Sequence, residues 1–199
     1  MAAGRDTEEI LGREHCVSDF TLRLAALSDV DDLNDLVRRS VLGLSSHDYT
    51  SVQLESGVRH LFGIDTRLIK DETYYVVEEE GRPVACGGWS QRRTLFGGDQ
   101  YADRSDSRLD PKTEAAKIRA FFVHPDFARR GLASRLLDAC ERAASAAGFR
   151  RLELMSTLPG LPFYARHGFE AHEPVERELP DGVRLQFVRM SKEIGASPA

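Results

Sequence analysis

Two arginines and a glycine stand between a predicted strand and a predicted helix in the second half of the chain. Arg129, Arg130 and Gly131 follow an apolar segment that ends at Val123 and precede an amphipathic segment that ends at Ala147. The first amide groups of a helix lack an intrahelical acceptor and carry the positive end of the helix dipole. Free amides beside two guanidinium groups suit a bound phosphate. The sequence therefore predicts a phosphate site at this turn.

The small residues of this turn, Gly131 and Ala133, also have a simpler interpretation. A Gly-x-Ala step is a weak signal by itself, because small residues also end loops where a helix packs closely. Its position after a strand and a His-Pro break favours the functional interpretation. In that arrangement the amides from Arg129 to Ser134 converge on a pyrophosphate.

Length and composition indicate one ordinary folded domain. The 199 residues can bury one sizeable core but are few for two. Hydrophobic residues make up 41% and charged residues 30%, unlike the charge-rich composition of disordered chains. The formal net charge of −5 argues against a general nucleic-acid binder, because phosphate attraction needs a basic field, although it allows a local basic pocket.

The cysteines and the chain ends predict a cytoplasmic protein without a metal. Cys16, Cys86 and Cys140 are far apart and form neither a C-x-x-C pair nor a cluster with histidines. Reduced thiols in the cytoplasm are the simplest interpretation. The N-terminus has no long apolar core, so we expect neither a secretion signal nor a membrane span. Flexible tails are predicted at 1–17 and 195–199, around a single domain at 18–194.

The spacing of apolar residues predicts a mixture of strands and helices. Strands are expected at 20–24, 73–77, 84–89, 118–123, 151–156 and 183–190, and helices at 30–41, 49–62, 132–147 and 163–167. Ser28 is expected to cap the first helix, and Gly63 to end the second. Residues 91–114 predict a long loop, which in a compact domain is either functional or disordered.

The turn at residues 128–133 resembles a motif of the GNAT superfamily, the acyl-coenzyme A dependent N-acyltransferases. In that family the motif is Gln or Arg, two residues, Gly, one residue, then Gly or Ala; here Ala128 departs from the first position. The phosphate site of this motif consists mostly of backbone amides, so the alanine at position 128 removes few of its phosphate contacts. The resemblance implies that coenzyme A is bound by Phe121, Phe122, Val123, Arg129, Arg130, Gly131, Leu132, Ala133 and Ser134.

A second match lies at Phe163 and Tyr164, followed by Gly168 and Phe169. It is similar to the family's late helix and following strand, with a tyrosine facing the coenzyme sulfur. The resemblance implies that Tyr164 is the catalytic acid that protonates the departing thiolate. Without the resemblance, an amphipathic tyrosine filling a half-buried site is the simpler interpretation.

The order of the predicted elements over residues 19–194 is also similar to this family. The resemblance implies an α/β fold of the α+β type, in which helices flank a mixed sheet whose central strands splay apart to admit the pantetheine arm. It implies acetyl-CoA as donor and direct attack by a primary amine, with Val123 nearest the thioester and no covalent enzyme intermediate. The expected partner is a small-molecule or protein amine, with no nucleic acid or membrane, and a homodimer is compatible with the fold.

The sequence does not identify a general base. Where the family often has a glutamate on the central strand, this chain has Lys117 and Arg119. A water relay is one solution. Otherwise the candidates by residue type are Glu114, Asp99, His47 and Glu153.

Two further segments have alternative interpretations. The glycine pair at 87–88 either permits a bulge or a close substrate approach, or marks a strand irregularity with Trp89 in the core. The aspartates of the long loop, together with Tyr101, either present a negative rim to a cationic amine or belong to a solvated loop. These aspartates are Asp99, Asp103, Asp106 and Asp110.

Two classes of function therefore stay open, an N-acetyltransferase and a GNAT-like module that binds or senses acyl-CoA without turnover. The missing strand glutamate favours the module, whereas Tyr164 and the intact loop favour the enzyme. A dinucleotide-binding domain is disfavoured, because the glycine loop comes late and lacks the full G-x-G-x-x-G.

Overall fold

The computed structural model describes residues 20–102 and 104–195. The predicted tails, apart from Gly195, lie outside these residues, as do Cys16 and Asp103. The strands are β1 Phe20–Leu24, β2 Tyr74–Glu79, β3 Arg82–Ser90, β4 Ala116–Val123, β5 Arg151–Thr157, β6 Glu170–Glu178 and β7 Arg184–Glu193. The helices are α1 Val30–Leu44, α2 Ser51–His60, α3 Thr66–Lys70, α4 Leu132–Ala146 and α5 Leu161–Arg166.

The strands form a seven-stranded sheet in the order β1-β2-β3-β4-β5-β7-β6. The β4–β5 pair is parallel and the other neighbouring pairs are antiparallel. The parallel pair is joined by a crossover through α4, as parallel neighbours require. The predicted mixed sheet with flanking helices is therefore confirmed.

The helices cover both faces of the sheet. The buried residues of α4 recur at three- and four-residue spacing, and they form one apolar stripe that packs on β2, β3 and β4. On β4, Phe121 packs with the core on the α4 side, whereas Phe122 packs with the core beneath α1 and α2. This alternation is the two-residue period of a strand covered on both faces, as predicted.

The start of α1 differs from the prediction. Ser28 lies within a short 3-10 turn, Leu27–Asp29, and does not cap the helix. The carboxylate of Asp29 accepts a hydrogen bond from the Ala26 amide at 2.7 Å, and α1 begins at Val30. Asp29 is thus the N-cap residue of α1 by position, but its carboxylate bonds back to Ala26 and not to an amide of the helix.

The predicted second helix is shorter than expected. Thr50 caps α2, its hydroxyl accepting from the Gln53 amide at 3.3 Å, and the helix ends at His60, before Gly63. A separate short helix, α3, follows where Asp65 accepts from the Arg67 amide at 3.1 Å. No helix among the described residues has the length and apolar character needed to cross a membrane.

Candidate functional site

The two central strands, β4 and β5, separate soon after they begin. Their pairing is limited to Ala116 with Leu152 and Lys117 with Glu153, whereas β5 continues to pair with β7 as far as Thr157. Beyond the Lys117–Glu153 pair, a cleft of ≈ 630 Å³ lies between β4 and β5 and is lined by residues of both strands. The splayed sheet expected from the resemblance is thus present, and the cleft passes from one face of the sheet to the other.

A buried ion pair lies where the strands diverge. Lys117 Nζ is 2.5 Å from Glu153 Oε2, and Arg189 also donates to this carboxylate. Burial alone would raise the pKa of Glu153, but the hydrogen bonds from Lys117 and Arg189 outweigh it and hold the pKa below its ordinary value. Glu153 is therefore an engaged structural carboxylate and does not line the cleft.

A bulge on β4 turns its backbone toward the cleft. Between the Cys86–Phe122 and Gly88–Arg119 pairs, two β4 residues oppose the single residue Gly87. One of them, Ala120, has a φ of 54°, and its carbonyl accepts a hydrogen bond from Tyr74 Oη at 2.8 Å.

Position 87 accommodates only glycine, because the Phe121 ring occupies the space that a side chain there would take. A Cβ at Gly87 would lie 2.5 Å from Phe121 Cδ2. The bulge interpretation of the glycine pair holds, with the extra residue on the facing strand. Trp89 is a core residue, its ring centroid 6.0 Å from that of Phe149.

The amide of Val123 points into the cleft. The next amide, that of His124, donates to the Val84 carbonyl across the β3–β4 ladder, so the alternation of a strand directs Val123 to the opposite side. There it donates to Ser40 Oγ of α1 at 3.2 Å. Ser40 is buried and lines the cleft, but a serine within a helix carries no signal in the sequence that marks it as a site residue.

The predicted phosphate turn lies at the mouth of this cleft. Arg129 and Gly131 have left-handed backbone conformations, with φ of 66° and 80°, and Gly131 is the N-cap of α4. These angles curl the chain so that successive amides at the start of α4 face one concave surface. Arg129, Gly131, Leu132, Ala133 and Ser134 all line the cleft.

Arg130 lies away from the other turn residues. Its guanidinium carbon is 4.9 Å from the centroid of the Phe127 ring, and it does not line the cleft. The two adjacent arginines are thus placed differently, since Arg129 lines the cleft and Arg130 stacks on an aromatic face.

His167, which was not among the residues predicted from the sequence, bridges α4 and α5. His167 Nδ1 is 2.9 Å from the Phe163 carbonyl, which can only accept, so Nδ1 carries the hydrogen. In the neutral ring Nε2 then accepts from Ser134 Oγ at 3.0 Å. This bridge joins the start of α4 to the end of α5 and lines the same cleft.

Tyr164 lies on α5 with 9% of its surface exposed, and it lines the cleft. Its ring centroid is 6.4 Å from that of Phe121. Burial raises the pKa of the phenol, so Tyr164 keeps its proton at neutral pH. A protonated phenol is the form that a proton donor requires.

The other candidate bases lie outside the cleft. Glu114 pairs with Arg93 at 2.5 Å, Asp99 pairs with Arg104 at 2.5 Å, and the His47 side chain is fully exposed to solvent. Among the described residues, no aspartate or glutamate lines the cleft. Asp99, Asp106 and Asp110 do not line the cleft: Asp99 and Asp106 are paired with arginines, and Asp110 caps the turn that follows it.

The described residues contain no group of three or more His, Cys, Asp or Glu side chains placed to hold a metal ion. Cys86 and Cys140 are free and buried, and burial raises the pKa of both thiols. His124, which the sequence left unassigned, accepts from the Asp126 amide at 3.3 Å and caps a turn.

Comparison with known proteins gives consistent results. Residues 39–169 match the acetyltransferase (GNAT) family. An uncharacterized N-acetyltransferase of Methanocaldococcus jannaschii is 27% identical over 168 residues, a match that covers 80% of this chain and 65% of that protein. The chain thus spans somewhat less than two thirds of the length of that relative.

Solved structures share the fold. A GCN5-related N-acetyltransferase from Rhodopseudomonas palustris has a TM-score of 0.65 at 20% identity, with 87% of this chain and 95% of that chain covered. An N-acetyltransferase from Thermoplasma acidophilum in complex with coenzyme A has a TM-score of 0.59 at 12% identity, with 88% and 99% covered. The family match extends over more than half of the chain and coincides with the splayed sheet, the turn and α5, and the chain therefore belongs to the acetyltransferase (GNAT) family.

Proposed function

We propose that this protein transfers an acetyl, or another short acyl, group from acyl-CoA to a primary amine by direct attack in a ternary complex. The observation that carries the proposal is the cleft between β4 and β5, which has the start of α4 at its mouth and a protonated tyrosine in its wall. The coenzyme A complex of the T. acidophilum fold relative is consistent with this donor.

The donor is held mainly by backbone groups. Amides from Arg129 to Ser134 donate hydrogen bonds to the pyrophosphate at the positive end of α4, with the Arg129 guanidinium beside it. The backbone of Phe121, Phe122 and Val123 lies along the pantetheine arm. Acetyl-CoA supplies an activated thioester.

The amide of Val123 is the donor nearest to the thioester carbonyl. Its present acceptor, Ser40 Oγ, retains a hydroxyl hydrogen that can also be donated. When the thioester carbonyl replaces Ser40 Oγ as the acceptor, the Val123 amide and the Ser40 hydroxyl are two donors held in place by β4 and α1, and they stabilise the negative charge that develops on the carbonyl oxygen during attack.

The protons balance without an enzyme carboxylate. Tyr164 donates to the sulfur as the carbon–sulfur bond breaks and then regains a proton from water, while the proton lost by the amine leaves through water, since no carboxylate of the described chain lines the cleft. The products are an amide and the free thiol of coenzyme A.

The experiment is thiol release from acetyl-CoA with a panel of amines, followed by the mass of the acylated product. Amine-dependent release of thiol, together with a product heavier by one acetyl group, would support the proposal that the protein is an acetyltransferase. The alternative, a non-catalytic acyl-CoA sensor, is motivated by Lys117 and Arg119 at the position of the family glutamate. Tight binding of acetyl-CoA in calorimetry without release for any amine would overturn the enzyme and support the sensor.

A further inference from the structure

The half of the cleft on the α1–α2 side is lined by aromatic and aliphatic side chains. This aromatic chamber consists of Tyr49, Leu54, Phe62, Phe96, Phe122 and Phe187. The Phe62 centroid lies 6.3 Å from that of Phe122 and 6.3 Å from that of Phe187, and Phe96 stacks on Phe187 at 6.2 Å. Phe62, Phe96 and Phe122 are only half-buried, so their rings present apolar surface to the cleft.

No negative charge faces this chamber from the described chain. The titratable residues that line the cleft are Tyr49, Tyr164, Arg129, Arg166 and His167. The nearby carboxylate of Asp65 is already paired with Arg119 at 3.1 Å and with Arg104 at 3.0 Å. A second cationic group on an acceptor would therefore be desolvated here without a partner, which is costly.

Residues 94–98 of the long loop lie against the chamber and are held by hydrogen bonds on two sides. The guanidinium of Arg119 donates to the carbonyls of Thr94 and Gly97, at 2.8 and 2.7 Å, on either side of Phe96. The amide of Gly98 donates to the Leu61 carbonyl at 2.9 Å, which fastens the loop to the end of α2. A chamber roofed in this way suits a small molecule better than the end of a folded protein.

From this geometry we infer that the acceptor is a small primary amine with an aromatic or branched apolar body and no second charge. The inference rests on the proposed function and names its substrate class. The amine nitrogen forms a bond to the thioester carbonyl carbon, the carbon–sulfur bond breaks, sulfur keeps the electron pair and takes a proton, and the amine proton passes to water. The apolar body is meanwhile held among the rings of the chamber.

The test is a comparison of kcat/KM for phenethylamine and isoamylamine with that for spermidine and for the α-amino group of a short lysine-containing peptide. We expect the two apolar amines to exceed the cationic acceptors by at least about tenfold, the gain from burying one ring or branched chain. Phenethyl alcohol, which has the same body and no amine, should inhibit competitively against phenethylamine.

Phe96→Ala supplies a second readout, because it removes chamber surface on the loop without touching the turn at α4. It should raise the KM for phenethylamine by about tenfold and leave the KM for acetyl-CoA unchanged, whereas Leu27→Ala, at an exposed site, should alter neither. If the kcat/KM for spermidine or for the peptide equalled that for the apolar amines, the inference would be overturned and the proposed function would stand. If no amine of either kind caused thiol release, both the inference and the proposed function would be overturned.

Discussion

Tyr164 is surrounded by aromatic rings, so the role of its hydroxyl can be separated from the role of its ring. The ring centroid lies 5.0 Å from that of Phe163 and 5.6 Å from that of Phe169. The only change in Tyr164→Phe is the loss of the oxygen and its proton. We expect kcat to fall by about 10²–10⁴-fold, the usual contribution of a positioned proton donor, with little change in coenzyme affinity or thermal stability.

Steady-state kinetics across pH and calorimetry with coenzyme A measure this effect. Tyr75→Phe, a phenol outside the cleft, is the matched control. Unchanged turnover of Tyr164→Phe at every pH would remove Tyr164 from the mechanism.

The adjacent arginines of the turn should differ in their contribution to coenzyme binding. Arg129 lines the cleft, whereas Arg130 stacks on Phe127. Arg129→Gln should weaken coenzyme A binding by roughly tenfold, the loss of one hydrogen bond to a charged group, and should make the affinity less sensitive to salt. Arg130→Gln should weaken binding less.

Calorimetry at low and high salt, repeated with dephospho-coenzyme A, tests this prediction and shows whether the contact is to the 3′-phosphate. Equal losses for the two variants, or no loss for either, would contradict the placement of Arg129.

At the level of the elements, the path of β4 depends on Gly87. Because a Cβ there would lie 2.5 Å from the Phe121 ring, Gly87→Ala must displace the bulged segment whose backbone we propose faces the coenzyme. We expect a loss of about 1–3 kcal/mol in the free energy of unfolding, as in other overpacked sites, together with weaker coenzyme binding. Gly195→Ala, which meets no atom within 4 Å, is the control in urea denaturation. A variant as stable as the control would contradict the packing of Phe121 on Gly87.

An ion pair that titrates lies where β4 and β5 begin to diverge. The pKa of Glu153 is lowered in the folded protein, so its stabilisation is present above the ordinary carboxyl range and is lost as pH falls through the folded pKa. The free energy of unfolding should therefore decrease on acidification. In Glu153→Gln the stability at neutral pH should be lower and its decrease on acidification shallower.

Urea midpoints measured from neutral pH into the acidic range show the difference. Glu176→Gln, at an exposed ion pair, is the control and should retain the slope of the unaltered protein. If the free energy of unfolding of Glu153→Gln fell on acidification as steeply as that of the unaltered protein, Glu153 would not be the source of the pH dependence.

Over the whole molecule, Asp65 connects three separated parts of the chain. It caps α3, pairs with Arg119 of β4 and pairs with Arg104 of the long loop. Since Arg119 is buried and holds the loop carbonyls above the aromatic chamber, Asp65→Asn leaves a buried cation without its counter-charge. We expect a loss of roughly 3–5 kcal/mol in the free energy of unfolding, and a higher KM for the amine with the KM for acetyl-CoA unchanged.

Glu178→Gln removes an exposed pair with Arg184 and should cost less than about 1 kcal/mol in the same denaturation experiment. Comparable losses for the two variants would show that the Asp65 network does not organise the loop.

The sequence by itself predicted most of the elements and the location proposed for the donor half of the site, but not the short helix α3. The strand that ends at Val123 and the amphipathic helix after Gly131 depend on local periodicity and turn chemistry, which are properties of neighbouring residues. The same holds for the resemblance at residues 128–133 and at Tyr164. Errors at Ser28 and at the second helix concern ends of elements, where several residues compete for one cap.

Only the tertiary structure decided which side chains are engaged and which face the cleft. Glu153 and Arg119 lie far apart in sequence from their partners, so their burial and pairing have no local signal. The meeting of Phe62, Phe96 and Phe187 in one chamber likewise depends on contacts among α2, the long loop and β7. The proposed donor half of the site is built from contiguous backbone, which sequence describes well, whereas the proposed acceptor half is built from distant side chains that only folding brings together.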